Sequence, residues 1–170
     1  MKSSLAMLLF SSTVLLADNA PSLPLQSACG PDQIKFSVKS VGRESNLPEP
    51  EPGKALVFVI FDHIPTDVGR PTVRVGLDGT WVGANRGLSH FSFPVEPGDH
   101  HFCVDWQRSG LPIHPVTAAA SQLTVEPAKT YYFRARILEG VWTLDFDLLN
   151  SDQGRLLVAH TSRAEFHQKK

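Results

Sequence analysis

One stretch constrains the fold of this chain more than any other. It runs from Thr72 to Gln107 and reads TVRVGLDGTWVGANRGLSHFSFPVEPGDHHFCVDWQ. Apolar and polar residues alternate through it, as they do in a strand with one buried and one solvated face. Asp78-Gly79 and Pro97-Gly98 interrupt the alternation with residues that favour tight reversals. The pattern predicts a meander of short antiparallel strands ending on Cys103 and Trp106, against which the rest of a β-domain packs.

The remaining segments repeat that rhythm. Ile34 to Ser40 alternates Ile34, Phe36 and Val38 with polar residues, and predicts a half-buried first strand. Gly42 to Gly53 carries Pro48, Pro50 and Pro52, which deny the backbone ladder donors and predict an extended connection. Lys54 to Asp62 contains the apolar run Ala55-Leu56-Val57-Phe58-Val59-Ile60-Phe61, expected of a strand covered on both faces and hence of the core's centre. Thr117 to Val125, Tyr131 to Leu138 and Val141 to Leu149 complete the strands, the last two as a hairpin. In Val141 to Leu149 the alternation points Trp142, Leu144, Phe146 and Leu148 inward and Asp145 and Asp147 outward. Ser151 to Ala159 predicts a short helix with Ser151 as its N-cap and Leu156, Leu157 and His160 on one side. The expected fold is therefore all-β, an antiparallel sandwich-like domain of about eight strands with a short C-terminal helix.

Residues 1–17 show the three parts of a secretory signal: Lys2, an apolar run from Leu5 to Leu16, and small residues near Ala17, where cleavage is expected. The run is shorter than the roughly 20 apolar residues that span a bilayer, so no stable membrane span is expected. Residues 18–28, rich in Pro and Ser, predict a flexible leader, and residues 29–170 a single domain. Leu25-Gln26-Ser27-Ala28-Cys29 resembles a lipobox, but its Leu is one position too far from Cys29 and the motif lies past the apolar run. Soluble export to the periplasm or the extracellular space is the expectation, without a lipid anchor at Cys29.

Two cysteines in an exported chain are most simply one disulfide, Cys29 to Cys103, which stabilises such a fold by about 2–4 kcal/mol. Free buried thiols, an intermolecular bridge or a metal site are the alternatives; neither cysteine has CxxC or HxxxH spacing to support the metal. A formal net charge of -1 gives no general grip on nucleic acid, and Lys169 and Lys170 read as a solvated tail tip.

The segments PEPEPGKALVFVIFD, VRVGLDGTWVGANRGLSHFSFPVEPGDHHFCVDW and KTYYFRARI resemble the bacterial domain-of-unknown-function family 2846 and, more loosely, the PEGA-type surface domains. The likeness spans about Pro52 to Leu149 and rests on the Val-x-Leu-Asp-Gly strand end, a Val-Gly step and Val-Glu-Pro-Gly-Asp-His. It implies an exported β-sandwich-like domain and brings no catalytic residues with it.

No constellation in the sequence demands chemistry. His100 and His101 are adjacent on a strand and face opposite sides, so they cannot share one ion without a bulge. Asp145 and Asp147 share a face, but alternation on a hairpin explains them without a glycosidase cleft. Ser89, His90 and Asp105 lack the Gly-x-Ser-x-Gly elbow that presents a nucleophile, and no Gly-rich loop ends in Gly-Lys-Ser/Thr. No cofactor or metal is expected.

Trp81, Trp106 and Trp142 are the candidate binding residues, because aromatic rings stack on sugars and anchor interfaces; core packing is the competing use, and Trp81, beside a turn, is expected to be the most exposed. An outer strand accepting a partner strand is a further route to binding. The functional expectation is a non-enzymatic envelope or secreted module that binds a protein or glycan partner. A purely structural accessory domain and a hydrolase acting on wall or glycan substrates are the alternatives.

Overall fold

The computed structural model describes residues 28–44, 46–62, 70–107, 118–138 and 143–170. The expected signal segment and most of the leader lie outside the described residues, as do Trp142 and Val141. Among the described residues ten strands form two sheets, with one helix against the larger. Strands β1 (Phe36–Ser40), β10 (Ser162–Gln168), β5 (Ser89–Val95), β2 (Ala55–Phe61), β8 (Thr130–Leu138) and β9 (Thr143–Leu149) lie in that order in the first sheet. Strands β4 (Thr80–Arg86), β3 (Thr72–Leu77), β6 (Gly98–Trp106) and β7 (Ala118–Val125) form the second. Helix α1 (Ser151–His160) joins β9 to β10. The all-β sandwich read from the sequence is the architecture found.

Strand β2 is the centre of the larger sheet, and every one of its residues is buried. Ala55, Val57, Val59 and Phe61 face the second sheet and join Val73, Val75, Phe102, Val104, Phe133 and Phe146 in the main core. Leu56, Phe58 and Ile60 face the other way, into a smaller cluster with Tyr132 and Val158. The continuous apolar run of β2 thus serves two layers at once, one inside the sandwich and one under the helix.

The pairing is mixed rather than wholly antiparallel: β2 runs parallel to β8 with Leu56 opposite Thr130, and β10 runs parallel to β5 over Ser162 and Arg163. The expected meander is also rearranged. The Asp78-Gly79 turn does close a hairpin, with φ of 49° and 80° at its two central residues, the left-handed pair that a two-residue turn requires. The Pro97-Gly98 turn does not. It carries the chain from β5 in one sheet to β6 in the other, and the segment after Arg86 makes the opposite crossing. Periodicity dictates which residues face the core, and both sheets share that core, so the alternation is equally satisfied by either partner.

Three local expectations are corrected. The helix is capped by Asn150, whose side chain accepts from the Gln153 amide at 2.9 Å; Ser151 is the first helical residue. The helix buries Gly154 and Val158, with Leu157 partly covered, while Leu156 is 58% exposed and His160 is exposed too. Leu148 points to the core side at the rim of β9 and is 47% exposed, because β9 is an edge strand and nothing described closes over its end. Strand β10, absent from the sequence reading, inserts between β1 and β5.

Candidate functional site

The outer face of the smaller sheet holds the Cys29–Cys103 disulfide and Trp81, one of the three candidate binding residues. Arg74 and Gly76 of β3 stand opposite Asp105 and Cys103 of β6, so these four share that face. Cys103 is bonded to Cys29, with Cα atoms 5.3 Å apart, and the bridge lays the segment from Ala28 to Ile34 across the sheet. Ala28, at the end of the expected leader, is itself buried. Arg74, only 4% exposed, donates to the carbonyls of Asp32 at 3.1 Å and Ile34 at 2.7 Å and pairs with the Asp105 carboxylate. Just past this segment, at the start of β1, Gln107 clasps both backbone groups of Phe36.

Trp81 completes this strap. Its Nε1 donates to the Pro31 carbonyl at 2.9 Å and the Arg74 guanidinium lies 4.2 Å from its ring centroid, so the indole is buried. This corrects the expectation that Trp81 is the most exposed tryptophan: the turn beside it is open, but the strap covers the ring. Trp106 is partly buried and packs against the main core, and Trp142 lies outside the described residues. The structure does not bring the three tryptophans together as a described platform.

The paper triad does not assemble either. Ser89 and His90 are on β5 of the larger sheet and Asp105 is on β6 of the smaller. Ser89 Oγ instead donates to Asn85 and accepts from the Arg86 amide. Asp145 and Asp147 project outward from β9 as expected, and each is held by an arginine of β8: Arg136 with Asp145 at 2.7 Å and Arg134 with Asp147 at 3.2 Å. A carboxylate pair so neutralised is a cross-strand ion ladder rather than an acid and base flanking a bond. Among the described residues no three His, Cys, Asp or Glu side chains converge as metal ligands.

At the tip of the smaller sheet, Asp78 accepts from the His101 amide at 2.8 Å and bonds His100 Nδ1 at 2.7 Å. His100 Nε2 faces the Glu96 carbonyl at 2.8 Å, so both ring nitrogens meet oxygen acceptors. Burial pushes the Asp78 carboxyl up, but the His101 amide, the His100 hydrogen bond and the two imidazole charges outweigh it and hold the group below its ordinary value. This cluster locks the β3–β4 turn onto β6.

The cluster that the sequence did not disclose surrounds His90, which has no exposed surface. Thr161 Oγ1 donates to the Leu157 carbonyl at the end of α1, so at 2.8 Å it accepts from His90 Nδ1–H. That bond fixes the tautomer and leaves Nε2 with a buried lone pair and no hydrogen-bond partner among the described residues. The nearest charge is Glu44 Oε2 at 3.6 Å, and Glu44 Oε1 lies 3.8 Å from Arg163 Nε. Burial lowers the His90 pKa, Glu44 opposes it, and Arg163 adds to the lowering. Ser-His in the sequence gave no hint of this, because Glu44 and Thr161 come from opposite ends of the domain. The arrangement cannot run nucleophilic chemistry: the Thr161 hydroxyl proton is committed to a helix carbonyl, and the residue is buried.

No protein-family model, curated protein or solved structure matches the chain. Among the described residues, no helix is long and apolar enough to cross a membrane.

Proposed function

We propose that this chain is an exported, non-enzymatic module of the bacterial envelope or extracellular space that binds a protein or glycan partner through its outer surface. The observation that carries the reading is the Cys29–Cys103 disulfide, which pins the first described turn of the domain to the middle of the smaller sheet. Such a staple forms and persists in an oxidising compartment, in keeping with the signal-like residues 1–17. The non-enzymatic part rests on where reactive side chains among the described residues are spent. His90 ties the helix to the sheet, Asp145 and Asp147 are held by arginines, and Asp78 with His100 locks a turn. Beside the helix and the strap, β7 keeps an alternating row of exposed residues, Ala120, Gln122 and Thr124, open for recognition.

The test is cell fractionation of the full chain with thiol labelling in the absence of reductant. The expected product lacks residues 1–17, is found in the periplasm or medium, and takes label on both cysteines only after reduction. Unprocessed protein in the cytoplasm with two labelled thiols overturns the reading. A pull-down of the processed protein from envelope extract then identifies the partner.

A further inference from the structure

Among the described residues the two sheets end on four edge strands, β1 and β9 of the larger and β4 and β7 of the smaller. An open edge presents backbone donors and acceptors to any strand that meets it, and folded proteins blunt it with charge, proline, a bulge or a cover. Three of these edges are blunted. On β1 the Gln107 side chain takes the amide and the carbonyl of Phe36, and Lys39 is exposed further along. Strand β9 carries Asp145 and Asp147. Strand β4 is buried over Gly83, Ala84 and Asn85 and ends on Arg86.

Strand β7 has none of these devices. Its residues, AAASQLTV, include no charge and no proline, and its ladder with β6 runs from Val125 opposite Gly98 to Ala118 opposite Asp105 without a register shift. Among the described residues no strand pairs with its outer edge. That edge also borders an uncovered apolar side chain. Phe102 of β6 meets Phe133 of β8 across the core with ring centroids 4.9 Å apart, and the next residues outward on their two sheets are Ser121 of β7 and Leu148 of β9. Leu148 is the residue left 47% exposed on the core side. A strand added along β7 extends the smaller sheet over this rim, and the residues it turns inward cover Leu148.

We propose that β7 pairs with β7 of a second copy of this chain, antiparallel about a twofold axis, so that two smaller sheets become one continuous sheet. The seat asks for a strand that is uncharged, apolar on its inward side and tolerant of water on its outward side. β7 is itself such a strand: Ala119, Leu123 and Val125 pack toward the core, and Ala120, Gln122 and Thr124 are exposed on the other face. Antiparallel pairing of a strand with its own copy sets inward residues beside inward residues, so no charge is buried in the seam and Leu148 of each copy meets the inward row of the other. The seam is about 26 Å long at about 3.3 Å per residue. It uses the strand edge and leaves the exposed row facing solvent, so this pairing goes beyond the partner-binding reading above and does not depend on export.

The experiment is sedimentation velocity of the disulfide-bonded protein over a concentration series reaching about 200 µM, because a seam of this size gives a dimer whose population follows mass action. A reversible monomer–dimer equilibrium is expected. In Ala120→Lys/Gln122→Lys the added lysines of the two copies meet along the seam, and the dissociation constant rises at least tenfold. An unchanged circular dichroism spectrum and melting temperature, read on dilute protein, show that the fold is kept. Ser40→Lys/Thr80→Lys places the same added charge at exposed positions of β1 and β4 and dimerises as the wild type. Mixing the lysine variant with Ala120→Glu/Gln122→Glu restores association. A protein that stays monomeric throughout the series, a lysine variant that dimerises as tightly as the wild type, or a mixture that remains monomeric overturns the pairing. If the monomeric wild type still captures an envelope protein or a glycan, the second copy is excluded and the module reading stands. If the chain dimerises through β7 but is not exported, the module reading falls and the pairing stands.

Discussion

His90 Nδ1 lies 2.8 Å from the Thr161 hydroxyl, across the junction between the sheet and the end of the helix, while its other nitrogen is buried with its lone pair toward Glu44. The folded protein therefore holds a neutral imidazole that resists a proton. Its pKa is lowered from the ordinary 6.5, by burial first and by Arg163 in addition, against the pull of Glu44. A group depressed on folding binds fewer protons in the native state, so its contribution to stability is present above the unfolded value and is lost as pH falls below it. The melting temperature is expected to be level above about pH 7 and to decline from about pH 6.5 downward through the lowered His90 pKa. Nuclear magnetic resonance of the His90 ring reads its midpoint directly, below 6.5 in the wild type and lower still in Glu44→Gln. A midpoint at or above 6.5 refutes this.

Gly154 is the contact through which the helix seats on β8. A Cβ built there would lie 2.1 Å from Cγ of Tyr132, whose ring is stacked on Phe58 in the cluster under the helix. Helix propensity alone favours alanine over glycine by about 1 kcal/mol. Overlap with a ring held between two layers outweighs it, so Gly154→Ala is expected to destabilise by about 1–3 kcal/mol in urea unfolding. Leu156→Ala, on the exposed side of the same helix, should stay within about 0.5 kcal/mol of wild type. A stabilised Gly154→Ala would mean that the helix is not seated this closely.

What the sequence made legible was governed by local pattern. The run from Ala55 to Phe61 announced a strand buried on both faces, and Asp78-Gly79 announced its hairpin, because both are written in adjacent residues. Sheet membership is not local: Pro97-Gly98 links two sheets that share one core, and alternation is blind to which sheet a strand joins. Strand β10 escaped because Ala164 and Phe166 are its only apolar residues, and an edge-adjacent strand needs no more. The burial of Trp81 did have a signal. A Cys29–Cys103 bond sets the N-terminal segment against Cys103, Cys103 pairs with Gly76, and Gly76 pairs with Trp81. The His90 cluster had none, since it is assembled from segments distant in the chain.

The disulfide spans 74 residues of sequence and should contribute accordingly. The variant Cys29→Ala/Cys103→Ala is expected to lose about 2–5 kcal/mol in urea unfolding while keeping its far-ultraviolet circular dichroism. The native spectrum is expected because Arg74, Trp81 and Gln107 hold the strap independently of the sulfurs. Loss below about 0.5 kcal/mol would show that the bridge does not constrain the unfolded chain.

The strap also separates the value of an ion pair from the cost of breaking it. Arg74 is nearly inaccessible, and its guanidinium serves Asp105, two strap carbonyls and the face of Trp81 at once. Arg74→Met keeps an unbranched, flexible stem but takes the cation from Asp105 and the donors from the Asp32 and Ile34 carbonyls. That change is expected to cost about 3–5 kcal/mol. Adding Asp105→Leu removes the partner of the lost guanidinium, so the double variant is expected to be destabilised by less than the sum of the two single changes, the difference being the coupling of the pair. Urea unfolding of the two single variants and the double variant closes the cycle. Single and double changes that simply add would show that the two side chains act on the strap independently rather than as a pair.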